Sequence, residues 1–306
     1  MLSYILRRML QIVPVVWGVT LIVFLLVHAT PGDPALIFLG PDATTDQIEH
    51  LRESMGLDRP LYVQYFSWVG GLLVGDWGRS VIDDRDVLGT LLHLFPNTFE
   101  LLVVSMVVTV GIGIPIGVIT AVKRDSLVDQ VGRAGALIGL CMPNFWFGLM
   151  LMLLLAHRYT LLPVSGRGTF AHLVLPAITL GLPGAATVMR MCRSSMLDVI
   201  GQDYVRTARA KGLNERAVIY KHALKNAMIP VITIIGLQLG FRLGGTVIVE
   251  TVFAYPGIGR FAYQRLLARD VPVIMGNLLL FAGLFCLVNL IVDVMYGFID
   301  PRIRYD

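Results

Sequence analysis

The residues that could carry out covalent chemistry in this chain are few and scattered. Its four lysines, at positions 123, 211, 221 and 225, do not follow a glycine, so the phosphate-binding pattern Gly-x-x-x-x-Gly-Lys-Ser/Thr is absent. The patterns Gly-x-Ser-x-Gly, His-Glu-x-x-His and Cys-x-x-Cys are absent as well. The six histidines and three cysteines show no metal-ligand spacing on a helix. The sequence therefore predicts no catalytic site, no metal site and no cofactor held by this chain.

One charge interrupts an otherwise apolar segment. Arg242 lies within the run from Ala227 to Val249, and Glu250 follows eight residues later. An arginine at the membrane centre costs roughly 2.5–3.5 kcal/mol on insertion scales, so its guanidinium must reach water, a partner or a substrate. Arg242 either snorkels to the headgroups or lies with Glu250 in a substrate pathway, where it would bind a peptide carboxylate. About 12 Å of helix separates the two residues, too far for a direct salt bridge.

A basic segment from Asp203 to Pro230 predicts a helix, a sharp turn and a second helix. Asp203 is placed to cap the first helix, Gly212 to end it in the left-handed conformation, and Asn214 to cap the second. The segment either docks into a groove on another protein or only sets topology and touches lipid headgroups. Its candidate docking residues are Asp203, Arg206, Ala208, Ala210, Gly212, Asn214 and Glu215.

The elements that position these residues must be membrane helices. Hydrophobic residues make up 56% of the 306 residues and charged residues only 15%, against about 25% in an average chain. This balance excludes a soluble enzyme and a disordered protein. A span needs about 20 mainly apolar residues. We therefore predict a single all-helical domain with six spans, at 9–28, 100–122, 134–157, 172–190, 227–250 and 271–293.

The orientation follows from the arginines and lysines. The side of both predicted termini has fifteen, and the opposite side has five once the four in the long loop 30–95 are set aside. Both termini and the loop 191–226 are therefore expected in the cytoplasm, with loop 30–95 outside. Val27-His28-Ala29 is similar to a signal-peptidase site, but the long first run and five further spans favour a retained helix.

The long outer loop is predicted to have structure of its own. Thr44 and Gln47 form a capping box, and Gly56 followed by Pro60 ends that helix. The stretch Leu61 to Val69, rich in tyrosine and tryptophan, is predicted to be a short helix at the membrane interface. The loop is either a solvated rim or a docking surface for an extracytoplasmic partner.

Two further patterns concern packing and the last outer loop. Gly236, Gly240 and Gly244 form a stripe that lets another helix approach closely, either within the chain or at a seam with a sister subunit. After the fifth span, two glycines make a flexible turn beside several arginines. This loop is either a plain rim loop or a contact for a binding protein, and its candidate residues are Tyr255, Pro256, Gly257, Gly259 and Arg260.

The basic segment resembles the coupling loop of binding-protein-dependent ABC importer permeases, in the dipeptide, oligopeptide, glutathione and nickel branch. Motifs along nearly the whole chain are similar to that family. They are Tyr4 to Arg8, Pro31 to Pro34, Gly56 to Tyr62, Gly75 to Gly78, Met142-Pro143, Leu175-Pro176, Val249 to Phe253, Tyr255 to Arg260 and Asp300 to Arg304. Two positions depart from the general pattern: Arg206 stands where glutamate is usual, and Arg242 where a small or apolar residue is usual.

The resemblance implies a type I ABC importer permease fold in the bacterial cytoplasmic membrane. It implies half of a pore, completed by a second homologous permease, with ATP and Mg²⁺ on two separate ATP-binding subunits and an extracytoplasmic substrate-binding protein. The implied cargo is dipeptides or oligopeptides, with glutathione or a nickel chelate as the alternative. The chain itself would be no enzyme and would bind lipid but no nucleic acid. A proton-coupled carrier or a membrane enzyme acting alone is the remaining different class.

Overall fold

The computed structural model describes residues 2–29, 44–54 and 56–299, which are mostly helical. The only β contact among these residues is an isolated bridge between Arg79 and Asp86. In chain order the helices are α1 (Leu2–Ala29), α2 (Thr45–Ser54), α3 (Leu61–Leu73), α4 (Val87–Val122), α5 (Leu127–Cys141), α6 (Asn144–Leu151), α7 (Ala171–Ile200), α8 (Asp203–Ala210), α9 (Glu215–Ala217), α10 (Leu224–Val252), α11 (Ile258–Leu267) and α12 (Val271–Ile299). A π-helical segment, Met152–Arg158, continues α6, and another, Val218–Ala223, joins α9 to α10.

The long helices include five candidate membrane spans. Five stretches of the described chain are long and apolar enough to cross a bilayer: Arg8–Ala29, Val87–Val122, Ala171–Ile200, Glu215–Val252 and Val271–Val294. A bent pair, Leu127–Cys141 with Asn144–Arg158, is either a broken sixth span or a re-entrant loop. The all-helical membrane fold predicted from composition is therefore confirmed.

The predicted span 134–157 is not one straight helix. The helix axis turns by 107° between its two halves, and the break falls at Met142 and Pro143. Met142 is extended, with φ −77° and ψ 127°. Proline disfavours helical geometry in the preceding residue and has no N–H to continue the ladder, so the helix ends there and a new one starts.

Two other spans extend beyond their predicted bounds. The helix α4 starts at Val87 rather than near 100, because the Asp86 carboxylate accepts a hydrogen bond from the Gly89 N–H and caps an apolar run that precedes the predicted start. The helix α7 continues to Ile200, ten residues past the predicted end at 190. The polar residues at its end are therefore helical rather than part of a loop.

The chain divides into two compact units. In the described part, the first unit comprises 97–260 and 287–299, and the second comprises 2–29, 44–54, 56–96 and 261–286. The first unit contains a large apolar cluster in which α4, α7, α8 and α10 all take part. The second has a smaller cluster of Val23, Phe24, Tyr65 and Met275.

Glycines allow close helix packing in the first unit. A Cβ added to Gly113 or Gly117 of α4 would overlap backbone oxygens and side chains of α7, at Ala185 and Val188 or at Met189 and Cys192. Small residues at such positions let two backbones approach closely. The pair on α4 is therefore used for internal packing.

Part of the predicted outer loop lies within the described residues. Thr44 N–H donates to the Gln47 side chain and Gln47 N–H donates to the Thr44 hydroxyl, so the predicted capping box is confirmed. Gly56 has φ +67°, and Leu57 N–H bonds the Arg52 carbonyl, which is a Schellman end for α2. The motifs at 31–34 and 300–304 lie outside the described residues.

Candidate coupling loop and buried polar clusters

The predicted helix-turn-helix is present between α7 and α10. Gly212 has φ +76°, which confirms the left-handed stop, and the Asn214 side chain accepts from Arg216 N–H, which confirms the second cap. The prediction for Asp203 is wrong in detail. The cap position of α8 is Gln202, which is extended with φ −73° and ψ 150°, so Asp203 already lies in the first turn. Its carboxylate lies 3.8 Å from Arg206 instead.

One face of this loop is buried in the first unit. Val205 and Ala208 of α8 belong to the apolar cluster that also includes Val218, Ile219 and Met196. Ala208 is among the candidate docking residues, but it is only 6% exposed. The short helix is therefore attached to α7 and α10 by apolar packing, because a buried small residue lets the helix lie close to them.

The opposite face of the loop is open. Ala210 to Arg216 are all exposed, including Leu213 at 43%. An exposed leucine beside a turn, surrounded by arginine, lysine and asparagine, is suited to a contact with another protein. A groove of about 260 Å³ lies beside it and is lined by Val118, Ile119, Val122, Lys123, Asn214, Glu215, Arg216, Ile219 and Tyr220.

A buried ion pair that sequence reasoning missed ties α7 to the start of α5. Asp129 is fully buried and accepts from Arg193 Nε at 2.6 Å and Nη2 at 2.7 Å. It also accepts from Asp125 N–H, and Arg133 lies 3.4 Å away. Bidentate pairs of this kind fix geometry as well as charge. The α4–α5 turn and α7 are therefore joined by this carboxylate.

Arg242 is inside the protein rather than at the headgroups. It is 5% exposed, and its guanidinium donates to the Ser105 hydroxyl at 3.1 Å and to the Thr109 hydroxyl at 2.5 Å, both on α4. A Cβ at Gly184 of α7 would overlap the guanidinium. The snorkelling interpretation does not fit this arrangement, because the side chain runs between helices and not towards a span end.

The buried arginine is incompletely satisfied. Its Nε has no hydrogen-bond partner among the described residues, and its described donors reach hydroxyls and a carbonyl rather than a carboxylate. A buried charge without a counter-ion lowers stability. The site therefore has unused capacity to bind an anionic group.

Glu250 is hydrogen-bonded to α4 and to the start of α11. It is fully buried, and its carboxylate accepts from the Thr98 hydroxyl at 2.7 Å and from Arg260 N–H at 3.0 Å. The Thr98 hydroxyl in turn accepts from Ile258 N–H at 2.9 Å. Since these N–H groups belong to the first turn of α11, Glu250 and Thr98 together cap that helix across a long sequence separation. Both carboxylate oxygens are used, so this structure provides no separate support for Glu250 as a pathway residue.

The loop from Tyr255 to Arg260 is held down by α4. Tyr255 donates to the Glu100 carboxylate at 3.2 Å, and Asn97 donates to the Pro256 carbonyl at 2.6 Å. Burial, reinforced by the nearby Glu100 carboxylate, raises the pKa of Tyr255 to about 12. Only Pro256 and Arg260 in this stretch are partly exposed.

The glycines of this loop act by their small size. Gly257 and Gly259 are absent from the residues with positive φ, which instead include Ala254 at +49°. A Cβ at either glycine would contact or overlap the Glu250 carboxylate. That they provide flexibility stays a prediction. In this structure Gly257 leaves room for the Glu250 carboxylate, and Gly259 leaves room for that carboxylate and for the Val247 backbone.

The glycine stripe of α10 is used unevenly. A Cβ at Gly236 would overlap Val292 of α12, so Gly236 takes part in internal packing. Gly240 is buried. Gly244 is exposed and a Cβ there would meet no atom within 4 Å. One end of the stripe is thus internal, and the other is open.

The architecture agrees with that of solved ABC importers. A chain of the MetNI methionine ABC transporter, in inward-facing conformations, matches 70% of this chain and 97% of its own length with a TM-score of 0.59 at 19% identity. A chain of an amino acid ABC transporter matches with a TM-score of 0.52 at 13% identity. The protein is therefore an all-helical integral membrane protein with the type I ABC importer permease fold.

Sequence comparison identifies the family. Residues 113–305 match the model of binding-protein-dependent transport system inner membrane components, and residues 1–102 match the model of their N-terminal region. The dipeptide transport system permease protein DppB of Escherichia coli (strain K12) is 42% identical over 337 positions, covering 100% of this chain and 99% of the relative. The glutathione transport system permease protein GsiC of Salmonella choleraesuis (strain SC-B67) is 44% identical over 305 positions, covering 100% of both. The chain belongs to the family of binding-protein-dependent inner-membrane permeases.

Proposed function

We propose that this chain forms half of the translocation pore of an ATP-driven importer for dipeptides or short oligopeptides. The observation that carries the proposal is the full-length similarity to a dipeptide permease at 42% identity. The other half of the pore would be a related permease, and two further subunits would bind ATP and Mg²⁺. An extracytoplasmic binding protein would deliver the cargo.

Glutathione is the second candidate cargo, and one observation favours it. The alignment with the glutathione permease has 305 positions, almost the length of this 306-residue chain. The alignment with the dipeptide permease needs 337 positions, 31 more than this chain has residues. Glutathione is itself a small peptide, so with either cargo the pore would have to pass a free carboxylate and a polar backbone. The nickel-chelate alternative stays a prediction.

The loop around Gly212 is proposed to dock on an ATP-binding subunit. Its open face, from Ala210 to Arg216, would make the contact, and its buried face, at Val205 and Ala208, would pass the movement on. Because this face packs against α7 and α10, ATP-driven closure would move the loop and these spans together. In this arrangement the loop and both termini lie in the cytoplasm, with the membrane being the bacterial inner membrane.

Two other regions receive proposed roles. The stretch from Tyr255 to Arg260 is proposed to contact the binding protein, and its partly exposed Pro256 and Arg260 are the residues available for that contact. Arg242 is proposed to serve the substrate pathway. The support is its buried guanidinium, whose Nε has no partner among the described residues, because an unsatisfied buried donor costs free energy that a bound carboxylate would recover.

The cargo proposal is tested by uptake into proteoliposomes. The complex is assembled from this chain and the products of its neighbouring genes. Uptake of a radiolabelled dipeptide and, in parallel, of radiolabelled glutathione is measured, each with unlabelled dipeptide or unlabelled glutathione as competitor. We expect ATP-dependent dipeptide uptake that excess dipeptide abolishes and glutathione does not. Uptake of glutathione alone would establish the second candidate, and uptake of neither would refute both.

A further inference from the structure

The helix α3 exposes an apolar stripe that none of the described residues covers. Its thirteen residues, Leu61–Leu73, contain no charged residue. Tyr62, Phe66 and Leu73 are 67%, 66% and 84% exposed. They lie four and seven residues apart in turn, which places them on one helical face. At about 20 Å the helix is too short to cross a bilayer.

The opposite face of α3 is already packed. Tyr65 is buried in the cluster formed with Val23, Phe24 and Met275, and Trp68 packs against it. The Phe24 ring lies 5.4 Å from the Tyr65 ring and 6.0 Å from the Trp68 ring. The helix is therefore fixed against α1 by aromatic contacts, with its second apolar face turned away from them.

The contacts also give the depth of α3 along the spans. The Tyr65 hydroxyl lies 2.8 Å from the Thr20 hydroxyl, and Gln64 lies 3.2 Å from His28. Thr20 is nine residues before Ala29, the end of α1, which corresponds to about 13 Å of helix. Met275 is likewise about 6 Å inside the start of α12. The helix therefore lies alongside the last turns of α1 and the first turns of α12 rather than above them.

We propose that the face formed by Tyr62, Phe66 and Leu73 is seated in phospholipid, at the boundary between headgroups and acyl chains. The leaflet is the one at the Ala29 end of α1, which is the outer leaflet in the orientation proposed above. A water-soluble partner could not reach a face at the depth of Thr20 and Met275, whereas lipid surrounds these spans at that depth. Aromatic side chains are favoured at this boundary. In addition, Arg59 directly precedes α3 and is exposed, so its guanidinium can reach a lipid phosphate.

In this arrangement α3 anchors the Ala29 end of α1 to one leaflet of the membrane. Lipid on one face of α3 and the Phe24–Tyr65–Trp68 aromatic contacts on the other would hold α3 at a fixed depth. This anchor does not depend on the cargo or on the ATP-binding subunits. It would apply equally if the proposed transport function were wrong.

The test measures the surroundings of single nitroxide labels on the full chain in nanodiscs of phosphatidylethanolamine and phosphatidylglycerol. Labels are placed at Phe66→Cys and Leu73→Cys, in a background in which Cys141, Cys192 and Cys286 are replaced by alanine. Asp84→Cys, at a side chain that is 80% exposed beyond α3, is the aqueous control. We expect collisions with O₂ to exceed those with a water-soluble nickel chelate at 66 and 73, and the reverse at 84.

Two results would overturn the proposal. Nickel-dominated collisions at 66 and 73 would place the face in water. Low collision rates with both reagents would show that protein covers the face. Rates that become low with both reagents only when a second permease is added would show that the second permease covers it. If the cysteine-free background does not fold, Phe66→Trp in the natural background gives the same answer. Its added fluorescence should be quenched more by lipids brominated near the headgroup than by lipids brominated near the chain end, and absence of quenching by either would refute the proposal.

Discussion

The Arg209 guanidinium lies 2.8 Å from the Glu215 carboxylate, so an ion pair bridges the two sides of the Gly212 turn. The hydrogen bond to Glu215 raises the pKa of Arg209 above its ordinary value. The side chains are 38% and 56% exposed, and solvent screens such pairs strongly. The pair therefore orients the turn more than it stabilises the protein. The left-handed backbone at Gly212 and the buried face at Val205 also fix the shape and position of the turn.

Gly212→Val is expected to disable the coupling loop without unfolding the protein. At φ +76° a β-branched residue should cost roughly 1–2 kcal/mol, enough to displace the exposed tip. Gly201→Val is the matched control, since Gly201 is also exposed and has φ −80°. Transport should fall sharply for the first variant only, with equal membrane insertion of both. Normal uptake by a well-expressed Gly212→Val variant would contradict the coupling assignment.

The glycine stripe of α10 should separate into two kinds of position. Gly236→Ala is expected to lower the thermal stability of the chain, because the new methyl would overlap Val292. Gly244→Ala has open space and should leave the isolated chain unchanged. If α10 also forms the seam with the second permease, Gly244→Ala should weaken that pairing in a pull-down or native mass spectrum. Unchanged pairing would restrict the stripe to internal packing.

Arg242→Met is expected to affect cargo choice rather than folding. The replacement removes a buried charge with an unpaired Nε, and well-packed apolar replacements of buried charges are often neutral or stabilising. The melting temperature should therefore stay the same or rise, while uptake of free-carboxylate peptides falls more than that of C-terminally amidated ones. Arg242→Lys, which keeps the charge, should lose less. An equal effect on both peptide types, or on neither, would show that Arg242 has no role in the pathway.

Glu250→Ala is expected to release the start of α11. The Arg260 N–H would lose its acceptor, and the Thr98 hydroxyl that accepts from the Ile258 N–H would lose the carboxylate to which it donates, at a cost of about 0.5–2 kcal/mol. Hydrogen exchange at residues 258–260 should accelerate severalfold or more. Glu100→Gln is the control, because Glu100 contacts Tyr255 and Arg167 but not α11. Unchanged exchange in Glu250→Ala would mean that the cap does not hold the loop.

The local features of this chain were predictable from the sequence. The apolar runs predict membrane helices, and Gly212 and Asn214 predict the turn, because each pattern depends on neighbouring residues alone. The bend at Met142 and Pro143 was missed, although the residue before a proline is biased away from helix. The apolar run 134–157 is long enough for one membrane span, so the sequence predicts a single helix there.

The polar clusters could not be predicted in the same way. Asp129 and Arg193 are 64 residues apart, and Thr98 and Glu250 are 152 residues apart. No local period relates such residues, so only the packing of the helices brings them together. The same holds for Gly257 and Gly259, whose small size is explained by the close approach of the Glu250 carboxylate and, at Gly259, of the Val247 backbone.

The most direct test of the central claim is an ATPase measurement on the purified chain, alone and assembled. The chain has no phosphate-binding loop, so the isolated protein should hydrolyse no ATP. Hydrolysis should appear when the ATP-binding subunits and second permease are added, should rise further with peptide-loaded binding protein, and should lose that stimulation in Gly212→Val. Intrinsic ATPase activity of the isolated chain, or stimulation that is unchanged in Gly212→Val, would contradict the account.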